Sequence, residues 1–152
     1  MQTSTFIQTA RKVFEFLIRD FGANYSEDPN SGVGELVRYD WDFLYFQVSK
    51  GRGEIDIYFR VKDKNFRYWY MMFDLGEISQ YLYYLYHSNQ PPMSKTTSPL
   101  TRALRQAQTE EERDEINLRM IKQSVERHCI PIIQGDLTIL ELVAIDRNER
   151  VT

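Results

Sequence analysis

Most of the aromatic residues in this chain are concentrated in one segment. Sixteen of the 21 Phe, Trp and Tyr residues fall within residues 39–87 of a chain of 152 residues. Successive side chains of a β-strand point to opposite faces, so one face of a small sheet can bury only about half of such a segment. The other aromatic side chains need a second layer of structure, a partner, a ligand or water.

The length and composition predict one globular domain that spans residues 1–152, with a linker at about residues 88–98. Hydrophobic residues make up 42% of the chain and charged residues 27%, which is typical of globular proteins. The linker is predicted from a stretch rich in Ser, Asn, Gln and Thr that contains Pro91 and Pro92. A net charge of −3 indicates no particular class of partner.

The sequence predicts a cytoplasmic protein with no membrane partner. Its single cysteine, Cys129, excludes an intrachain disulfide and favours a reducing compartment. Charged residues interrupt the apolar positions near the N-terminus, so we expect no secretory signal. No apolar run approaches the roughly 18 to 20 residues that a membrane span requires.

Apolar residues near the N-terminus recur every three or four positions. This spacing predicts an amphipathic helix over residues 4–21, with Gly22 at its C-terminal end. Residues 24–34 contain Pro29 together with Asn, Ser and Gly, a composition typical of a loop.

Alternating apolar and polar residues then predict an antiparallel meander. Strands are expected at residues 35–41, 43–49, 54–62 and 66–73, with a hairpin turn at residues 50–53. One face of the hairpin is predicted to carry the apolar side chains Leu44, Phe46, Val48, Ile55, Ile57, Phe59 and Val61. Tyr45 and Tyr58 fall on the opposite, polar face, and we expect Trp41 and Phe43 to join them.

Helix signals follow the predicted sheet. Asp74 is a candidate N-cap for a Tyr-rich helix over residues 75–86, whose inward side chains would be Leu75, Ile78, Leu82 and Leu85. Pro99 suits the first position of a further helix. Thr109 suits the cap of another, which Pro131 would end or kink.

Residues 137–145 fit either a helix or an edge strand, and we favour the helix. The elements together predict an α+β fold: an N-terminal helix, an antiparallel meander of three to four strands, a Tyr-rich helix and a helical C-terminal portion. The sequence leaves open whether the C-terminal helices cover the second face of the sheet.

No motif indicates a catalytic residue, a metal site or a cofactor, so we expect none and predict that the protein is not an enzyme. The only imidazole and thiol groups belong to His87, His128 and Cys129. His128 and Cys129 are adjacent, so on a helix they point about 100° apart and cannot easily share an ion. An enzyme that uses Glu54 or Asp56 as an acid or base is a minor alternative, because such pairs commonly keep a strand face soluble.

Residues 110–115 contain five carboxylates. Two or three acidic residues would suffice to complement the dipole of a helix N-terminus, and the excess suggests an acidic docking patch. The candidate partner-binding residues are therefore Trp41, Phe43, Tyr45, Tyr58, Glu110, Glu111, Glu112, Asp114 and Glu115.

Val-Arg-Tyr at residues 37–39, Phe-Gln-Val at residues 46–48 and Glu-Ile-Asp-Ile at residues 54–57 form a Tyr-bearing strand followed by a hairpin. This pattern resembles small bacterial immunity-type and uncharacterised cytoplasmic proteins, and the resemblance covers residues 6–86. It implies a non-enzymatic protein that neutralises a toxin by tight binding. Such a toxin is commonly a basic nuclease, which an acidic surface would suit.

The leading hypothesis is a non-catalytic protein-binding protein, of the immunity or antitoxin type, that occludes the active surface of a toxin or another protein. The alternative is a single-stranded nucleic-acid-binding module that uses sheet aromatics and the basic residues of the hairpins. Carboxylates in the same hairpins and the acidic net charge argue against nucleic acid as the partner.

Overall fold

A five-stranded antiparallel sheet follows the N-terminal helices in sequence and precedes the C-terminal helices. The computed structural model describes residues 4–87 and 99–151, so the predicted linker at residues 88–98 lies outside the described residues. The strands pair in sequence order, and they are β1 (Asn24–Ser31), β2 (Gly34–Asp40), β3 (Leu44–Gly51), β4 (Glu54–Val61) and β5 (Met72–Asp74). The predicted α+β class is confirmed.

Helices precede and follow the sheet. The α-helices are α1 (Thr5–Val13), α2 (Glu15–Arg19), α3 (Leu75–His87), α4 (Pro99–Gln106), α5 (Glu110–Ser124), α6 (Ile130–Ile133) and α7 (Thr138–Val151). A π-helical turn, Val125–Cys129, joins α5 to α6.

The single N-terminal helix predicted over residues 4–21 is present as two segments, α1 and α2. Ser4 caps α1 by accepting a hydrogen bond from the amide of Ile7 at 3.1 Å. The helix breaks at Phe14, whose ring is fully buried. Gly22 follows α2 in the left-handed region, as the sequence predicts for a helix end.

The loop predicted over residues 24–34 is wrong, because most of it forms β1. This strand pairs antiparallel with β2, from Asn24 opposite Asp40 to Asp28 opposite Leu36. The register then shifts before Ser31, at the position of Pro29. An edge strand tolerates proline because one side of its backbone makes no hydrogen bonds to a neighbour. The sheet therefore has five strands instead of the three to four predicted.

The strand predicted over residues 66–73 is largely wrong as well. Only Met72–Asp74 pairs with β4, and the preceding residues form turns. The Trp69 amide donates to the Phe66 carbonyl at 3.2 Å, and the Met71 amide donates to the Tyr68 carbonyl at 3.0 Å. These turns bury Tyr68 and Met71 and expose Trp69, so the segment has no strand-like alternation.

The inner face of the sheet carries the core. One cross-strand row consists of four fully buried aromatic residues, Tyr39, Phe46, Phe59 and Phe73. Helix α1 covers this row: the Tyr39 hydroxyl donates to the Ala10 carbonyl at 3.3 Å. Burying a side chain of this size contributes about 1.5 to 3 kcal/mol, so the row is a principal source of stability.

The predicted features of the C-terminal helices are confirmed. Thr109 caps α5 through a 3.1 Å hydrogen bond from the Glu112 amide. The π-helical turn precedes Pro131, which has no amide hydrogen to bond the carbonyl four residues earlier. Residues 138–145 belong to helix α7, so the edge-strand alternative is wrong, and Leu140 and Ala144 point inward. Leu85 of α3, predicted to point inward, is exposed.

In the described ranges, no single helix is long and apolar enough to cross a membrane. One bent pair, Glu110–Ile133 with Thr138–Glu149 at 104°, reaches the required length and composition only when its two halves are combined.

Candidate partner-binding face

Strand register defines the second face of the sheet, which we call the outer face. Residues directly opposite each other in an antiparallel sheet share a face. The outer face thus comprises Asn24, Ser26, Asp28, Leu36, Arg38, Asp40, Tyr45, Gln47, Ser49, Gly51, Glu54, Asp56, Tyr58, Arg60, Met72 and Asp74. The predicted placement of Tyr45 and Tyr58 on this face is confirmed.

The C-terminal helix α5 lies on the inner side of the sheet. Lys50, which belongs to an inner-face row, forms ion pairs with Glu110 and Asp114 of α5 at 2.7 Å and 2.5 Å. On the outer face, Asp56 and Met72 are exposed, and both tyrosines are half-buried. Gln47 and Ser49 of the same face are buried. Helix α5 therefore leaves the outer face uncovered, and this face is only partly exposed.

Two tyrosines and one arginine form an ordered cluster at the centre of the outer face. The rings of Tyr45 and Tyr58 make an edge-to-face contact with centroids 6.2 Å apart. The Arg38 guanidinium lies over Tyr45, with Cζ 4.2 Å from the ring centroid. It also donates two hydrogen bonds, at 3.0 Å and 2.6 Å, to Oε1 of Gln47. These contacts restrain the orientations of the two aromatic rings.

The phenol of Tyr58 is uncharged at neutral pH. Burial raises its pKa above the ordinary value, and the neighbouring Tyr45 adds to the effect. The positive charges of Arg38 and Arg60 oppose this shift without reversing it. Tyr58 therefore carries a neutral hydroxyl on the outer face.

The charges of the outer face are unevenly distributed. Its four aspartates outnumber its two arginines. Lys62, just beyond β4, is already paired with Asp40 at 3.3 Å. Asp56 and Asp74 lie towards the other end of the face. That end is acidic, which suits a basic partner better than a phosphate backbone.

A cleft of about 730 Å³ opens at this acidic end. It is lined by Val33, Gln47, Ser49, Asp56, Tyr58, Met72, Asp74, Glu77, Gln80 and Arg147. Arg147 of α7 fixes one wall by pairing with Glu77 of α3 and donating to the Met72 carbonyl at 2.9 Å. The sequence did not indicate Glu77 or Arg147 as site residues, because nothing local links residues 70 positions apart.

Two of the aromatic candidates are not part of the outer face. Trp41 is 9% exposed, and its indole N–H donates to the Phe21 carbonyl at 2.7 Å. Phe43 is half-buried and packs against the core. The expectation that they join Tyr45 and Tyr58 is wrong, because β2 ends at Asp40 and the alternation of side chains ends with it.

The acidic run and the tyrosines do not form one surface. Glu110 and Asp114 pair with Lys50 on the inner side of the sheet. Glu112 accepts a hydrogen bond from the Gln108 amide at 3.0 Å, so it helps to cap α5. The two candidates that remain, Glu111 and Glu115, are exposed.

A second cleft, of about 510 Å³, lies between the inner face, the start of α3 and α5. Its lining includes Ile55 and Ile57 of β4, Ser79 of α3 and Asn117 of α5. Glu54 does not line either cleft, whereas Asp56 lines the cleft of the outer face.

Within the described ranges, no group of three His, Cys, Asp or Glu residues could hold a metal ion. Cys129 is fully buried, and burial raises the pKa of its thiol to about 12. Burial and the charge of Arg127 lower the pKa of His128. Because its pKa is raised, the Cys129 thiol is protonated at neutral pH and is a poor nucleophile.

No protein-family model matches this chain, and no curated protein or solved structure shows significant similarity to it.

Proposed function

We propose that this protein acts without catalysis, by binding another protein through the outer face and occluding the active surface of that protein. The observation that carries the proposal is the ordered pair of half-buried tyrosines, Tyr45 and Tyr58, on a sheet face that α5 leaves uncovered. An immunity or antitoxin-type factor, as the sequence resemblance implies, would act in this way.

The geometry of the aromatic cluster favours tight binding. Tyrosine offers a large contact area and loses little conformational entropy when a complex forms. Arg38 already restrains Tyr45, so less freedom remains to be lost on binding. The strands beneath the cluster pair with neighbours on both sides, which gives the tyrosines a firm support.

The charge pattern favours a basic protein as the partner. The exposed Asp56 and the adjacent Asp74 would attract a cationic surface and speed its association. The same aspartates would repel the phosphates of a single-stranded nucleic acid. A toxin of the basic nuclease class, in the cytoplasm, fits this pattern, and the buried free thiol of Cys129 suits a reducing compartment.

Site-specific photo-crosslinking tests the proposal. Benzoylphenylalanine would replace Tyr45 in cells of the native host, and a control variant would carry it at Ile18, an exposed position on α2. We expect a protein to be captured from Tyr45 and not from Ile18. That protein would then be purified and its affinity measured.

Affinity measurements complete the test. Tyr45→Ala and Tyr58→Ala should each weaken binding of the captured protein about tenfold or more. Tyr84→Ala, at an exposed tyrosine of α3, serves as the matched control and should leave the affinity unchanged. Wild-type affinity in both outer-face variants would refute the proposal.

A mobility-shift assay with single-stranded oligonucleotides at low salt tests the alternative function. We expect no shift, because the acidic end of the outer face repels phosphates. A shift that Tyr45→Ala and Tyr58→Ala abolish would identify nucleic acid as the ligand and would overturn the protein-binding proposal.

A further inference from the structure

We propose that residues 66–71, here called the aromatic turn, form a second docking element that binds an acidic segment of the protein partner. This inference rests on the proposed function, because it specifies a further part of the same partner interface. Trp69 and Tyr70 of the turn and the following residue but one, Met72, place three exposed large apolar side chains within four positions. Exposed apolar side chains grouped in this way are typical of binding surfaces, whereas scattered single ones are common on any protein.

Two buried side chains attach the aromatic turn to the rest of the protein. Tyr68 and Met71 belong to the core, and the Met71 amide donates to the Tyr68 carbonyl at 3.0 Å. Trp69 and Tyr70 lie between these two anchors. Over the described residues, neither ring belongs to the core or packs against it. Core packing therefore does not explain why a tryptophan and a tyrosine stand at these positions, whereas a binding role would explain it.

The geometry of the two rings favours a protein over a nucleic acid at the aromatic turn. The rings of Trp69 and Tyr70 have centroids 6.3 Å apart and an interplanar angle of 88°. The Lys64 ammonium already lies over the Trp69 ring, 5.5 Å from its centroid. Successive bases of a single strand stack on aromatic faces. Two perpendicular rings provide no common stacking surface, so they suit the irregular side chains of a protein better.

The charge around the aromatic turn specifies an acidic segment of the partner. Residues 62–72 contain three basic side chains and one acidic side chain, although the whole chain has a net charge of −3. Lys64 and Arg67 are exposed, and their cationic groups lie 5.5 Å from the ring centroids of Trp69 and Tyr68 respectively. An acidic side chain of the partner can pair with either cation while its apolar neighbours pack on the exposed rings. The acidic end of the outer face would meet a basic region of the same partner, so the two charges together fix one orientation of binding.

The aromatic turn is continuous with the outer face. It leads directly into Met72, which lies in the same cross-strand row as Tyr45 and Arg60. Two strand spacings, about 10 Å, separate Tyr45 from Met72. A stable protein interface buries about 800 Å² on each partner and involves about 20 to 30 residues, which two half-buried tyrosines cannot supply. A partner seated on the tyrosine pair therefore extends to the aromatic turn.

Photo-crosslinking at three positions tests the inference together with the proposed function. Benzoylphenylalanine would replace Tyr45, Tyr70 or Tyr84 in separate variants of the whole protein, in cells of the native host. Tyr84 of α3 is the matched control, since it is 56% exposed and Tyr70 is 58% exposed. We expect Tyr45 and Tyr70 to capture the same protein and Tyr84 not to capture it. The captured protein would then be purified for binding measurements.

Binding measurements with the captured protein decide the role of the aromatic turn. Trp69→Ala and Tyr70→Ala should each weaken its affinity at least about tenfold, as expected of aromatic anchors, and Tyr84→Ala should not change it. The double variant Lys64→Glu, Arg67→Glu should associate more slowly at low salt, with a smaller difference from the wild type at high salt. The Tm of Tyr70→Ala should stay within about 2 °C of the wild-type value, because the ring does not pack against the core.

The inference and the proposed function can fail separately. If the protein captured from Tyr45 binds Trp69→Ala and Tyr70→Ala with wild-type affinity, the inference is wrong and the proposed function stands. If Tyr45 captures no protein, the proposed function fails and the inference fails with it.

Three further results would overturn the inference alone. Faster association of the charge-reversed variant would show that the contacted segment is basic. A Tm of Tyr70→Ala lowered by more than about 5 °C would show that the ring is covered within the chain. A mobility shift of a single-stranded oligonucleotide that Trp69→Ala abolishes would identify nucleic acid as the ligand of the aromatic turn.

Discussion

The ammonium group of Lys50 lies 2.5 Å from the carboxylate of Asp114, although the two residues are 64 positions apart in sequence. Both side chains are only 14% exposed. Glu110 completes the group at 2.7 Å from the same nitrogen. This ion-pair cluster attaches the start of α5 to the end of β3.

Lys50→Met should lower the free energy of unfolding by about 2 kcal/mol, because it leaves a largely buried carboxylate without its charged donor. Urea denaturation with an unchanged m value would measure the loss. Arg19→Met is the matched control, since its ion pair with Asp20 is more than half exposed and should change stability by less than about 0.5 kcal/mol. Equal effects of the two variants would contradict the structural role of Lys50.

The contribution of the Lys50 cluster should depend on pH in a defined way. Burial alone would lower the pKa of Lys50, but its hydrogen bonds to Asp114 and Glu110 and their charges raise it above 10.5. The hydrogen bond from Lys50 holds the pKa of Glu110 below 4.5. A raised lysine pKa stabilises the fold below pH 10.5, and this stabilisation is lost as pH rises through the folded-state value. A lowered carboxyl pKa stabilises the fold above pH 4.5, and this is lost as pH falls through the folded-state value.

The difference in unfolding free energy between wild type and Lys50→Met should therefore be constant between pH 4.5 and pH 10.5 and shrink beyond both limits. Urea titrations across this range would measure it. If the difference in unfolding free energy grew in acid, the ion-pair cluster would not be the source of the stabilisation.

Gly34→Ala should be far more damaging than Gly53→Ala. Both glycines have positive φ angles, which cost an L-residue about 1 to 2 kcal/mol. A Cβ at residue 34 would also lie 2.3 Å from the Lys50 carbonyl oxygen, whereas residue 53 has open space. We expect a loss of about 3 kcal/mol or more for Gly34→Ala and about 1 to 2 kcal/mol for Gly53→Ala. Equal losses in denaturant melts would show that β2 and β3 approach less closely.

Trp41→Ala should destabilise the protein, whereas Tyr45→Ala should mainly affect binding. Removing a buried indole costs about 3 to 5 kcal/mol, and Trp41 also loses its bond to the Phe21 carbonyl. Tyr45 is half-buried, so Tyr45→Ala should lower the free energy of unfolding by only about 1 kcal/mol. Thermal unfolding of the two variants would separate these roles. If the Trp41→Ala protein had wild-type stability, Trp41 would not be a core residue and could again be considered a partner-binding residue.

Cys129 should react with Ellman's reagent only when the protein unfolds. The thiol is fully buried, and its pKa is raised to about 12, so native protein at pH 8 contains almost no accessible thiolate. We expect labelling about a hundredfold slower in buffer than in concentrated urea, with a rate that follows unfolding. Rapid labelling under native conditions would contradict the observed packing.

Features set by neighbouring residues could be predicted from the sequence. The β3–β4 hairpin, the Thr109 cap and helix α7 each depend on side chains within a few positions of one another. The alternation in β3 and β4 also placed Tyr45 and Tyr58 on the correct face.

Features set by distant residues could not be predicted. β1 has the composition of a loop, and only its pairing with β2 makes it a strand. The cleft is assembled from β3, β4, β5, α3 and α7, and Arg147 reaches Glu77 across 70 positions. The local pattern of apolar and polar residues does not indicate such contacts between residues that are distant in sequence.

The outermost position of β1 has a further consequence. Exposed strand edges promote aggregation, because their free backbone groups can pair with the edge of another molecule. β1 opposes such pairing with Glu27, Asp28 and the irregularity at Pro29, and the opposite edge, β5, is only three residues long. Both edges of the sheet are therefore poor templates for pairing with the strand of another molecule.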